Sequence, residues 1–199
     1  MLLLGRAELA LLRGDIAAGL ELLDVVRRTG RVRPALPGVP ASDGLDPWTL
    51  LIGAVSTVVA ARHDPESADE MFSSLLDRAE LATDQHHVHY DFPVLGTVAF
   101  AIAVWLRRRG QAVHGLDGDQ ASRFAALAAR FDFNRAFPSL DWSTLIDELT
   151  SAQVARVDEL TAGLDSFDFA EAIVRYHDDV RGLRRCVDTT SRSAARRSR

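Results

Sequence analysis

Residues 46–79 read Asp46-Pro47-Trp48-Thr49-Leu50-Leu51-Ile52-Gly53-Ala54-Val55-Ser56-Thr57-Val58-Val59-Ala60-Ala61-Arg62-His63-Asp64-Pro65, then Glu66-Ser67-Ala68 through to Ala79. Asp46 is placed to cap a helix and Pro47 suits its first position, where a missing N–H costs nothing. From Trp48 to Ala61 there is no charge, which is the pattern of a helix enclosed on all sides. His63-Asp64-Pro65 ends it. Ala68, Met71, Phe72, Leu75, Leu76 and Ala79 then recur at i, i+3, i+4, i+7, i+8 and i+11, one stripe of an amphipathic helix. Two helices joined by so short a break form an antiparallel hairpin, and the chain repeats this unit on either side.

Upstream, Leu4, Ala7, Leu11 and Leu12 keep helical spacing until Gly14-Asp15, after which Ile16, Leu20, Leu23 and Val26 start a second stripe. Residues 30–47 hold four prolines and several glycines and read as a loop. Downstream, Val94–Leu106 is again apolar and ends in Arg107-Arg108-Arg109-Gly110, a run suited to a helix C-terminus, where cations meet the negative end of the dipole. Ala121, Phe124, Leu127, Ala128 and Phe131 make its partner. Shorter pieces follow at Trp142–Leu149 and Ala152–Leu160. A last helix is capped by Ser166 and striped by Phe169, Ile173, Tyr176, Val180 and Leu183. No strand pattern competes. The expected fold is all-α, stacked antiparallel helical hairpins forming one domain over residues 1–187, with an Arg/Ser-rich tail from 188 to 199 that should be disordered.

Composition narrows the chemistry. The chain has 199 residues and a net charge of −5, and all 23 of its Lys+Arg residues are arginine. Without lysine there is no Schiff-base or phosphate-loop lysine. Residues 1–180 carry 16 Arg against 27 Asp and Glu, whereas residues 181–199 carry seven Arg against Asp188 alone. An acidic body repels nucleic-acid phosphate, so direct sequence-specific DNA binding is not expected. The uncharged runs are shorter than the roughly 20 residues a membrane helix needs. The single cysteine, Cys186, fits a reducing compartment, and a cytoplasmic protein is the expectation.

His86, His87, His89 and Asp91 form the densest set of metal-ligating types. No second ligand pair stands at a zinc-site spacing, so a polar loop is the plainer reading and a small metal-binding protein or enzyme the alternative. His63-Asp64 and His177-Asp178 imitate metal phosphohydrolase pairs, but a solvated or helix-end position suits both. Asp147-Glu148 and Asp158-Glu159 diverge by about 100° on a helix and read as solvated faces. Trp48 and Trp105 read as packing residues, and Trp142 as the border of a groove. There is no Gly-x-Ser-x-Gly elbow, and no cofactor is expected.

The first hairpin, Leu3, Ala7, Leu11, Gly14-Asp15-Ile16 and Gly19-Leu20, resembles a tetratricopeptide repeat, with small Ala7 and Gly19 allowing close helix approach; the later hairpins depart from the ~34-residue period. Other stretches resemble a family. These are Asp91-Phe92-Pro93-Val94-Leu95-Gly96-Thr97 with Ala103-Val104-Trp105-Leu106, Leu127-Ala128-Ala129-Arg130-Phe131-Asp132-Phe133-Asn134-Arg135, and Phe137-Pro138-Ser139-Leu140-Asp141-Trp142. With Leu4–Ala10, Arg13-Gly14-Asp15 and Asp46-Pro47-Trp48, they resemble the C-terminal tetratricopeptide-like region of actinobacterial antibiotic-regulatory (SARP/BTAD-type) transcriptional regulators, over about residues 1–150.

The resemblance implies a non-enzymatic array that regulates or scaffolds through contacts with a protein or peptide, including other domains of a regulator. Winged-helix DNA binding and nucleotide hydrolysis, found in other parts of such regulators, do not carry over, because this chain has neither segment. Arg130, Asn134, Arg135, Asp141 and Trp142 are the expected border of the partner-binding surface, unless Asn134 and Asp141 merely cap local turns.

Overall fold

A computed structural model describes residues 2–30, 47–83, 92–109, 116, 119–133 and 135–197. Among these the architecture is entirely helical, with no strand. Helices α1 (Leu2–Leu12) and α2 (Ile16–Gly30) form the first hairpin, α3 (Pro47–His63) and α4 (Pro65–Ala82) the second, and α5 (Phe92–Arg109) and α6 (Gln120–Arg130) the third. A single 3-10 turn at Pro138–Leu140 leads to α7 (Trp142–Glu148), α8 (Ser151–Leu164) and the long α9 (Phe169–Arg197). No described helix is long and apolar enough to cross a membrane.

The turns follow from local chemistry. Gly14 sits at φ +81°, a backbone conformation that costs glycine nothing, and Asp15 then accepts the Ala18 N–H at 3.1 Å to start α2. A Cβ on Gly19 would lie 2.5 Å from Leu11 Cδ2, so the small residue does set the approach of α1 and α2. Asp64 closes one helix and opens the next, its carboxylate taking the Ser67 N–H with Pro65 in the first turn. The expected loop over 30–47 lies outside the described residues, apart from its two ends.

The first hairpin meets the second through α2 against α3, and the second meets the third through α3 against α5. α3 packs against α2, α4 and α5, which explains why its apolar residues go all the way round. One hydrophobic cluster runs from Leu4 to Leu183. Between α4 and α5, Phe72 and Trp105 stack face to face at 3.7 Å with 4° between their planes. Trp105 is therefore a packing residue, as read; Trp48 is not, being 43% exposed at the start of α3.

The C-terminal third departs from expectation at three points. α8 runs to Leu164 because Thr150 and Gln153 make a reciprocal capping box that sets its start, with no breaker before Gly163. α9 is capped by Asp168 rather than Ser166: Asp168 accepts the Glu171 N–H at 2.8 Å, Glu171 accepts the Asp168 N–H at 3.1 Å, and Ser166 instead donates to the Gly163 carbonyl. The helix also does not stop at Asp188 but continues to Arg197. Thr189 and Thr190 donate their hydroxyls back to the Arg185 and Cys186 carbonyls, and the arginine- and alanine-rich sequence that follows is composed of good helix formers.

α9 crosses α4 and α6 instead of pairing along α8. It is fixed by Tyr176, fully buried with its ring edge-on to Phe124 and Phe131 at 6.4 and 6.0 Å. Burial pushes its phenol well above the usual range, and its hydroxyl has no hydrogen-bond partner among the described residues. An orphaned buried hydroxyl costs about 1–3 kcal/mol. Tyr176→Phe should therefore raise stability by about 1 kcal/mol in urea unfolding; a decrease would show that the hydroxyl is in fact satisfied.

Candidate functional site

The residues after α6 build a surface dense in hydrogen bonds and ring contacts. Phe131 caps α6, Asp132 takes φ +53°, and the Asp132 and Phe133 N–H groups bond back to the Ala129 and Ala128 carbonyls. This is a Schellman turn with aspartate in the left-handed position, one of the few side chains that tolerates it. The turn presses on Gly96 of α5, where a Cβ would meet Phe133 N at 3.0 Å and Phe131 Cβ at 3.1 Å. Phe133 is thereby aimed into a stack with Phe100 at 4.9 Å and Trp142 at 5.5 Å.

From there the chain crosses the first helices of all three hairpins as a strap. Ser139 donates its N–H and its hydroxyl to the Glu8 carboxylate of α1, at 3.1 and 2.5 Å. Its carbonyl accepts from Arg62 Nη1 of α3 at 2.7 Å. Glu148 Oε1 receives Arg62 Nε and, from α5, Arg108 Nη2, both at 3.0 Å, while Arg107 donates to the Glu148 carbonyl. The Arg62 and Glu148 side chains are only 11% and 10% exposed. Desolvation lowers the pKa of Arg62 against the opposing pull of Glu148.

Beneath the ionic contacts, Leu140, Leu145 and Leu149 are buried. Each contributes about 1.5–3 kcal/mol by burial, so the strap is part of the core. Arg62 Nη2 and Glu148 Oε2 are left buried without a hydrogen-bond partner among the described residues.

The expected partner-binding residues divide. Arg135, Asp141 and Trp142 belong to the strap, and Asn134 lies outside the described residues. Arg135 is exposed, 3.8 Å from Asp132 and over the Phe133 ring at 5.1 Å. Trp142 is half-buried in the aromatic stack. Arg130 faces elsewhere: it donates to the Leu164 and Phe167 carbonyls and covers the Phe169 ring at 4.2 Å, tying α6 to the turn between α8 and α9.

Asp141 is the N-cap of α7. Hydrogen bonds from the Ser143 side chain, then from the Thr144 N–H and hydroxyl, hold its carboxyl down to about 2. Asp141→Ala should cost about 1 kcal/mol at neutral pH, as loss of a cap does. The folded pKa lies below the unfolded one, so the wild-type advantage is complete above the ordinary aspartate range and disappears as pH falls through about 2. Unfolding curves for both proteins, taken from neutral pH down to the acid limit, check it; a gap that persists at the acid end contradicts it.

Glu8, Arg62 and Ser139 are not singled out as site residues by the sequence. Glu148 corrects the reading of Asp147-Glu148 as a solvated face: Asp147 is exposed, but the Glu148 carboxylate turns inward to Arg62 and Arg108. The run Arg107-Arg108-Arg109 likewise does more than meet a helix dipole, since Arg109 pairs with Asp69 of α4 at 3.0 Å. A usable signal existed: Arg62 is the one arginine or carboxylate on otherwise apolar α3, and Glu8 is the one carboxylate of α1.

His86, His87, His89 and Asp91 lie outside the described residues. Among the described residues, no three His, Cys, Asp or Glu side chains are grouped to hold a metal, which sets aside a joint site at His63-Asp64 and His177-Asp178. The His63 ring pKa is lowered by burial and by the charges of Arg62 and Arg108. Asp158 and Glu159 are exposed, as read.

A concavity of ≈ 220 Å³ lies between α6, α8 and α9, with apolar walls from Leu127, Leu160, Leu164 and Phe167. Asp179 borders it, 3.6 Å from Arg123, and burial raises its carboxyl despite that neighbour. No family model matches the chain, and neither a curated protein nor a solved structure matches it.

Proposed function

We propose that this chain is a non-enzymatic helical-repeat interaction module, a degenerate tetratricopeptide-like array that acts through protein contacts. The observation that carries this is the strap. The first helices of three successive hairpins jointly grip one segment through Glu8, Arg62, Arg107 and Arg108, over a bed of buried leucines. Surfaces assembled from stacked hairpins suit recognition of segments of this kind. The resemblance to actinobacterial transcriptional regulators supports regulation as the context, with other domains of a regulator as candidate partners.

A photo-crosslinking residue at exposed Ser143 on the strap, compared with one at Glu70 on α4, tests the reading in cells. Discrete protein adducts at one of the two positions are expected. The reading fails if neither position captures protein and the purified chain instead carries an equivalent of zinc or iron that is lost on substituting His86, His87 and His89.

A further inference from the structure

Helix α1 is apolar on two sides and buries only one. Leu4, Ala7 and Glu8 face the core, whereas Leu2, Leu9 and Leu12 are 81%, 45% and 65% exposed. With Gly5, whose Cβ position meets nothing within 4 Å, these residues recur at i, i+3, i+7 and i+10. That is the narrow stripe by which one helix seats another. α3 and α5, the corresponding helices of the next two hairpins, are equally apolar but covered, α3 by α2, α4 and α5, and α5 by α3 and α6. A helix of such composition left half open marks an interaction site.

The occupant can be argued from charge. The exposed charged residues beside the leucines are Arg6 on α1 and, in the turn that follows, Arg13 and Asp15, a net positive set. A fitting surface is therefore apolar with an acidic rim. The chain carries one itself, at the turn into α9. Phe167 and Val174 are 37% and 60% exposed there, with exposed Ala170 between them. Asp165, Asp168, Glu171 and Asp178 surround them, all exposed, against Arg175 and the Arg130 guanidinium that reaches the Phe167 carbonyl, so the rim stays net acidic. The ≈ 220 Å³ concavity walled by Leu160, Leu164 and Phe167 opens beside this patch and has room for an aliphatic side chain.

We infer that the α1 leucine stripe docks on the Phe167–Val174 patch of a second copy of this chain. The two surfaces are different, so the contact is heterologous and propagates head to tail rather than closing as a two-fold dimer.

Sedimentation velocity of the full chain over about two decades of concentration reads the result. The wild type should show a concentration-dependent rise in mass that weakens as salt is raised, because its rim pairs are exposed. Leu9→Asp and Val174→Asp are both at exposed positions, so circular dichroism should be unchanged, and each alone should weaken association by at least about tenfold. Mixed together, they should form a one-to-one dimer that grows no further, since one variant retains the stripe and the other the patch. The proposal is overturned if the wild type stays monomeric throughout, or if the variants do not pair when mixed. It is overturned equally if either variant alone associates like the wild type, which would mean that α1 meets another α1 or a different surface.

Discussion

Glu148→Ala should destabilise the protein by about 3–5 kcal/mol, the cost of breaking a buried ion pair by removing one partner. Its carboxylate is the shared acceptor of Arg62 and Arg108, and Arg107 meets the same residue at its carbonyl. Without it, Arg62 stays enclosed at 11% exposure with its charge uncompensated. Arg108, at 45% exposure, can turn into water and should contribute little to the loss. The control is the double variant Glu148→Leu with Arg62→Met. Replacing both charges by apolar groups of similar size should recover most of the stability, because desolvation of the pair offsets much of its attraction. Urea unfolding followed by circular dichroism measures both. A single variant within about 0.5 kcal/mol of wild type would mean that the strap is held by its leucines alone.

Phe72→Ala should be comparably severe, about 3–5 kcal/mol, as for a large side chain removed from a closed core. Phe72 has no exposed surface, and its ring lies flat on Trp105 at 3.7 Å. Trp105 cannot easily move to fill the space, because its indole N–H donates to Asp69 at 3.2 Å, and Asp69 also receives Arg109. The stack is the main bond between α4 and α5, and α9 rests on α4 through Arg184 to Asp77 and Ser73. Loosening α4 should therefore loosen α9 as well. Hydrogen exchange should show faster exchange of α9 amides around Tyr176 than of α3 amides. Phe72→Leu, which keeps most of the volume, should cost less than half as much.

The helices were legible in the sequence because their apolar residues repeat at 3.6 spacing and their ends carry Gly14, Asp64 and Pro65, whose backbone preferences act locally. The path of the strap was not. It depends on where Ser139 and Glu148 meet Glu8, Arg62 and Arg108, pairings that no periodicity records. Leu127–Arg135 enters the sequence reading only through its resemblance, and what Phe131-Asp132-Phe133 does physically is set by the left-handed Asp132 that aims Phe133 across Gly96. Asp141 lies exposed at the start of α7, and the alternative reading of it as a cap is the one its hydrogen bonds show. Arg130 lies apart from Arg135, Asp141 and Trp142 because a helix-end arginine can reach in several directions, and the α8–α9 turn decides which carbonyls it finds. The tail beyond Asp188 was read as disordered from its Ser and Arg content, although the same residues permit a helix once α9 is already nucleated.

The bond from Ser139 to Glu8 spans 131 residues of chain. In an array whose units touch only their neighbours, each hairpin can settle as soon as the next is made. Here the first hairpin cannot reach its final set of contacts until residue 139 has left the ribosome. At ordinary synthesis rates of about 5–20 residues per second, Glu8 waits roughly 7–26 s for its partner. During that interval a buried-type carboxylate and the apolar faces of α1 and α3 stand open, so this protein is most vulnerable to misassociation while it is being made.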